Sequence, residues 1–203
     1  MAENNITEIE GDLFDAPSDA ALIHACNCMG SWGAGIARVF ATKVRHAYLK
    51  LSADLIKLSF SQYPAAYKIY RDHCKKYLSQ PEHRVVSTSP SRQAKLPEGT
   101  TLIIPPQEKD YRKGSKRHWI VCLFTSPQFG RNVSAVDIIL ENTELAVADM
   151  KRQLEDLGPG QVGELWACRF NSGLFGVDWK LSRKALESSG LQVTVARPEG
   201  EEE

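Results

Sequence analysis

Residues 21–36, ALIHACNCMGSWGAGI, decide how this chain is read. Ala21 to Cys26 is a compact apolar run, as in a buried strand. A glycine-rich stretch from Met29 to Gly35 follows it, and a helix is expected to open at about Ile36. In an α/β sheet such a strand-to-helix junction lies at the carboxyl edge, where ligands commonly bind. Gly30, Gly33 and Gly35 let backbone N–H groups approach an anion closely, and a following helix N-terminus adds a favourable field. The stretch is neither a Walker A loop, since no Gly-Lys-Ser/Thr occurs, nor a Rossmann fingerprint. A tight turn with glycine for steric reasons alone is the alternative; its position at the junction favours phosphate binding.

A second junction of the same kind is Phe170-Asn171-Ser172-Gly173-Leu174-Phe175-Gly176-Val177-Asp178-Trp179, between a strand at Glu164–Arg169 and a helix from Asp178 to about Ser189. Two glycine-rich junctions in one sheet would clamp a diphosphate from both sides. Phe175 and Trp32 either cover a sugar or base face or are core aromatics. Gly11-Asp12-Leu13-Phe14 follows a short first strand, Ile6–Glu10. Asp12 is there to accept from an exocyclic amine, or simply to cap a turn.

The remaining pattern alternates strands and helices. Pro64 suits the first turn of a helix running to about Leu78, with Ala65, Ile69, Cys74 and Leu78 as face-formers. Thr101–Ile104 and His118–Phe124 read as strands, and the best helix runs from Ser134 to Leu157, with Ser134 and Asp137 as a capping pair. A last strand is expected over Gln192–Ala196. The alternation argues for an α/β fold: a mixed, mostly parallel sheet between two helical layers. One domain over 1–197 is expected, with an insertion at 44–59, an exposed basic loop at 109–118 and a disordered acidic tail at 198–203.

Twenty-five Lys plus Arg cancel twenty-five Asp plus Glu in 203 residues, so the chain lacks the basic excess of a nucleic-acid binder. No apolar run reaches the ~20 residues that span a bilayer, and the acidic N-terminus is unlike a signal peptide. Neither nucleic-acid polymer nor membrane is an expected partner, and an intracellular, cytoplasmic or nuclear, monomer is. The five cysteines, Cys26, Cys28, Cys74, Cys122 and Cys168, are expected to be reduced core thiols. His24, Cys26 and Cys28 alternate along a strand, yet a structural zinc needs four ligands and no second cluster supplies them, so neither metal nor cofactor is expected. His24 is a candidate acid/base or a core histidine bonding a carbonyl.

Together, HACNCMGSWGAGIA, CLFTSPQFG and NSGLFGVDW resemble the macrodomain family, and within it the fungal ADP-ribose 1''-phosphate phosphatase branch. The resemblance implies a three-layer α/β/α macrodomain with ADP-ribose along the sheet crest. It implies contacts from Gly11, Asp12 and Leu13, with Asp12 at the adenine amine. It implies others from Ala25, Cys26, Asn27, Trp32, Gly33, Ala34, Gly35, Ile36 and Ala37, with Asn27 at the terminal ribose. Asn171, Ser172, Gly173, Leu174, Phe175 and Gly176 would close from the other side, with Phe175 over the terminal ribose.

The implied reaction removes the phosphate monoester of ADP-ribose 1''-phosphate, with His24 as acid/base and Asn27 as orienting group. A non-catalytic ADP-ribose reader would use the same loops, and ADP-ribosylated proteins are a further partner class. A hydrolase removing ADP-ribose from modified proteins is a further alternative, by a route other than that of the related enzymes that use a Lys and an Asp: Leu174 and Phe175 stand where the Asp would lie, and Thr125-Ser126 where the Lys would.

Overall fold

The computed structural model describes residues 5–32, 63–86, 91–112 and 116–197. The helix expected from Ile36, the 44–59 insertion and the 198–203 tail lie outside them.

Six strands form one sheet: β1 (Ile6–Glu10), β2 (Ala21–Asn27), β5 (Thr101–Ile104), β6 (Trp119–Ser126), β7 (Leu165–Cys168) and β8 (Val193–Arg197), in the order β1-β8-β7-β2-β6-β5. Every pairing is parallel except that of β5 with β6. β2 is flanked by β7 and β6, with Ala21 opposite both Leu165 and Trp119. A parallel strand in that position is covered on both faces, which is why ALIHAC is apolar throughout rather than alternating. A separate hairpin, β3 (His83–Val86) with β4 (Arg92–Lys95), was not foreseen: its strands carry charged and exposed residues and no apolar period.

Side chains of β6 show how the layers divide, since successive residues face opposite sides of a sheet. Phe124 stacks on Tyr70 of α1 (Pro64–Ser79), with ring centroids 6.0 Å apart. Its neighbour Thr125 faces away, toward α3 (Val136–Leu157) and α4 (Trp179–Ser189). Helices therefore cover both faces.

The helix ends correct several expectations. α1 is anchored by Ala66, Tyr70 and Cys74, while Ile69 and Leu78 are exposed. Its first turn has Pro64 but no capping side chain of its own. Asp110, in the one-turn helix α2 (Glu108–Tyr111), supplies the cap: its carboxylate accepts from Ala65 N at 2.8 Å and Ala66 N at 3.1 Å. The segment expected to be a solvated basic loop is thus partly a lock. Asp110 and His118 are buried, His118 Nδ1 sits 2.7 Å from Tyr63 Oη, and Lys116 donates to the carbonyls of Asp15 and Ala16 at 2.8 Å each. Helix α3 starts two residues later than expected and lacks the Ser134–Asp137 pair; Ser134 instead donates its N–H to Ser126 Oγ at 3.3 Å. Asp178 does cap α4, accepting from Lys180 N at 2.9 Å.

Candidate functional site

Parallel strands end together, so the loops after β1, β2, β6 and β7 share one edge of the sheet. From β2 the chain moves outward to β5 and β6; from β7 it moves the other way, to β8. The connections leaving these two adjacent strands diverge, and divergence at the carboxyl ends opens a crevice between them. Residues 29–32, the described part of the first glycine-rich junction, follow one of these strands and the second junction follows the other. Gly11, Asp12 and Leu13 follow β1, three strand positions from β2, or roughly 14 Å along the edge.

The loop after β2 is built by Asn27. Its Oδ1 accepts from Met29 N at 3.0 Å and Ser31 N at 3.4 Å, and its Nδ2 donates to Ser31 O at 2.6 Å. Its carbonyl accepts from Tyr70 Oη at 2.7 Å. These bonds make Asn27 the frame of the loop, with its amide turned into the turn it closes. Gly30 takes φ +73°, and a Cβ there would lie 3.3 Å from Arg71 Cα, so glycine serves both the left-handed turn and the close approach of α1. Trp32 is buried and stacks on Tyr70, centroids 5.1 Å apart. It floors the loop, the placement of a core aromatic. Gly33, Ala34, Gly35, Ile36 and Ala37 lie outside the described residues.

His24 requires a correction. It is 0% exposed, in the middle of β2, facing α1. Its Nδ1 lies 3.5 Å from Cys26 Sγ, its Nε2 lies 3.8 Å from Cys122 Sγ, and Trp32 packs its edge 5.4 Å away. Strand alternation puts it on the core face beneath the edge, the placement of a core histidine among the described residues. Of the metal triad weighed from sequence, Cys28 is replaced by Cys122. The ligand atoms of His24, Cys26 and Cys122 lie within 4.8 Å of one another, one ligand short of the four a structural zinc takes. Burial first, then neighbouring thiols, push the Cys26 and Cys28 thiols well up, so both remain protonated. All five cysteines are free and buried. Ala25 is half-buried on the opposite face from His24.

The loop after β7 is held from below. Asn171 is 5% exposed and takes φ +66°, and its side chain points inward. Its Oδ1 accepts from Thr125 Oγ1 at 2.8 Å, while Nδ2 donates to Thr143 Oγ1 at 2.9 Å and Ser182 Oγ at 3.1 Å. The Asn171 amide therefore anchors the loop and does not face the crevice. Ser172, Gly173, Leu174 and Gly176 are exposed and Phe175 is half-buried, so this loop does present itself to a ligand. Glu8 braces the far foot. It accepts from Trp179 Nε1 at 3.0 Å, from Arg169 at 2.8 Å and from Arg183 at 2.6 Å. Burial pushes its carboxyl up, but the hydrogen bonds from Trp179 and Arg169 and the two guanidinium charges outweigh that and hold it below the ordinary glutamate value.

Asp12 is exposed and caps the turn Leu13–Asp15, with Oδ1 accepting from Phe14 N at 2.9 Å. Both sequence alternatives thus remain compatible: one oxygen holds the turn while the residue faces solvent. The sequence reading missed the loop after β6 as a wall of this edge. Asn27 lies opposite Ser126 in the register, and Phe129 beyond it is 49% exposed. The signal was available in CLFTSPQFG, a strong strand running straight into a polar turn.

A protein of Aspergillus oryzae named ADP-ribose 1''-phosphate phosphatase is 52% identical over 99% of this chain and 97% of its own. One of the same name from Aspergillus clavatus is 54% identical over 95% and 94%. Among solved structures, the macrodomain of Mycobacterium tuberculosis DarG superposes with a TM-score of 0.62 at 18% identity, covering 95% of this chain and 97% of that one. The fold is therefore that of a macrodomain. No family model matches the chain.

Proposed function

The chain belongs to the fungal ADP-ribose 1''-phosphate phosphatase family, and from that premise we propose that it binds ADP-ribose along the carboxyl edge of its sheet and hydrolyses the phosphate monoester of ADP-ribose 1''-phosphate. The observation that carries this reading is the strand order, which sends the chain in opposite directions from the carboxyl ends of the adjacent strands β2 and β7, where a ligand crevice is expected. Adenine lies toward Asp12, and the diphosphate and terminal ribose occupy the crevice. Ser172 to Gly176 close over the terminal ribose from one side, with the Asn27-framed loop opposite.

In the reaction, water adds to phosphorus and the bond from phosphorus to the anomeric oxygen breaks. ADP-ribose leaves with a proton on that oxygen, and phosphate carries the oxygen of water. Little covalent chemistry is asked of the protein beyond stabilising charge on the transferring group and holding the water in line. Backbone N–H groups of the two loops suit the first task. Asn27 acts by shaping its loop, and His24 takes no part in proton transfer. ADP-ribosylated protein fits the same edge through its ADP-ribose, and the hydrophobic core cluster of the described residues supports one domain. Among the described residues no helix is long and apolar enough to cross a membrane.

The test is phosphate release from ADP-ribose 1''-phosphate by the purified chain, with ADP-ribose as competitor. Release that ADP-ribose inhibits is expected. Binding of ADP-ribose with no release would overturn the catalytic half of the reading, and no binding would overturn both halves.

A further inference from the structure

Thr125 lies in β6 and Asn171 in the loop that leaves β7, and those two strands do not touch. β6 and β7 lie on either side of β2, two strand spacings or roughly 10 Å apart. The hydrogen bond from Thr125 Oγ1 to Asn171 Oδ1, at 2.8 Å, nevertheless joins them across the end of β2. It passes on the α3 side, directly beneath the crevice where the connections diverge. Both residues are buried, Thr125 fully.

The contact is one link in a longer chain. Asn142 Nδ2 donates to the Thr125 carbonyl at 3.1 Å and to Glu98 Oε1 at 2.9 Å, and Arg92 of the hairpin bonds Glu98, Glu141 and Asn142. On the other side, Thr143 and Ser182 accept from Asn171 Nδ2. The Asn171 carbonyl then accepts from Val177 N at 3.0 Å, joining the two feet of the exposed loop, and Gly176 N donates to Gly173 O at 3.1 Å within it. Asn171 thus holds the buried network through its side chain and the closing bond of the loop through its carbonyl. Buried networks of this kind have one satisfied arrangement, so they fix geometry as well as add stability.

We propose that Thr125 is a positioning residue for the ligand: its bond to Asn171 straps the two strands flanking β2 together and sets the height of the loop Ser172–Gly176 over the crevice. The proposal rests on the ADP-ribose reading above. Thr125 touches no ligand; it acts through Asn171 and the loop.

The experiment compares Thr125→Val, Thr125→Ser and the unaltered chain. Valine keeps the volume and removes the donor; serine keeps the donor. Asn171→Gly is a second variant, since glycine accepts the left-handed φ but lacks the amide. Hydrogen exchange at the Gly176 and Val177 amides reads the loop, and ADP-ribose affinity with KM and kcat for ADP-ribose 1''-phosphate reads its consequence. Thr125→Val is expected to raise both Kd and KM on the order of tenfold with a smaller effect on kcat, as expected for a sub-ångström loss of placement. It should also speed exchange at both amides, and Thr125→Ser should stay within about twofold of the parent, as retention of the same bond requires. Valine protein with a lowered Tm but parental exchange, Kd and KM would reduce Thr125 to a packing residue and overturn the proposal. Faster exchange in the valine variant of a chain that never binds ADP-ribose would leave the strap standing and refute the ligand reading instead.

Discussion

The carboxylate of Asp110 accepts the backbone N–H of Ala65 at 2.8 Å, so the first turn of a helix at residue 64 is completed by a residue 45 positions later. The same carboxylate takes Ala66 N, and both donors belong to the N–H groups that a helix start leaves orphaned. A negative charge there is also well placed in the helix field. The consequence reaches the site, because α1 carries Tyr70, whose hydroxyl holds the Asn27 carbonyl and whose ring stacks on Trp32.

Asp110→Ala is expected to cost about 1–2 kcal/mol, the usual size of a lost cap. In a chain of this length that is roughly 2–8 °C in Tm. Thermal unfolding followed by circular dichroism measures it. An unchanged Tm would mean that water replaces the cap and that Asp110 is incidental to α1.

His24→Gln separates core packing from catalysis. The buried ring lies among Cys26, Cys122 and Trp32, so an amide of similar reach should lower stability by about 1–3 kcal/mol through imperfect satisfaction. Turnover of the folded fraction on ADP-ribose 1''-phosphate should remain within about threefold, whereas loss of a general acid or base costs roughly 10²–10⁴-fold. A drop of that second size at unchanged fold content would restore His24 to the mechanism.

Asp12→Ser tests the adenine end without disturbing the turn, because serine also caps Phe14 N–H. A hydrogen bond to a charged group contributes about 1.5–3 kcal/mol, so ADP-ribose affinity should fall roughly 10- to 100-fold. Affinity for ribose 5-phosphate, which has no adenine, should not move. Equal losses for the two ligands would assign Asp12 to the ribose phosphate region or to loop stability.

What the sequence made legible was what repeats along the chain or breaks its period. Strands β1 and β5 match their expected bounds, and β2 extends one residue further, because the alternation of β1 and the apolar runs of β2 and β5 each end at a turn signal. The two junctions were found for the same reason. What stayed hidden was the partner of each polar group. Asn171 and Asn27 both looked like ligand contacts, and their amides are spent on the fold, on Thr125, Thr143 and Ser182 in one case and on the Met29–Ser31 turn in the other. Asp110 looked like a charge in a basic loop and is a cap. His24 sits in the right motif on the wrong face, a distinction that depends on which side of β2 faces α1. The roles of Asn171 and Asp110 rest on contacts across 28 to 46 residues of chain, which no local pattern encodes.

Glu8 gives the site a pH dependence whose sign follows from its partners. Trp179, Arg169 and Arg183 hold its carboxyl below the ordinary glutamate value of 4.5 despite partial burial. A depressed carboxylate contributes stability that is fully present above the unfolded-state pKa and is lost as pH falls through the folded one. The loss therefore falls below about pH 4.5 and leaves the neutral range flat. Glu8→Gln removes the charge at all pH, leaving Arg169 and Arg183 without their shared anion, and should lower Tm at pH 7. Because the pair is only partly buried, the cost should be modest, on the order of 1–2 kcal/mol. As the pH drops toward 3, the parent loses the same interaction and the two melting curves should converge. The foot of the ligand loop lies at Trp179 and Arg169, so ADP-ribose affinity of the glutamine variant at pH 7 should resemble that of the parent under acid more than that of the parent at pH 7. Parallel melting curves with a constant gap from pH 7 to pH 3 would show that Glu8 contributes through packing alone and that its ionisation plays no part in holding the loop.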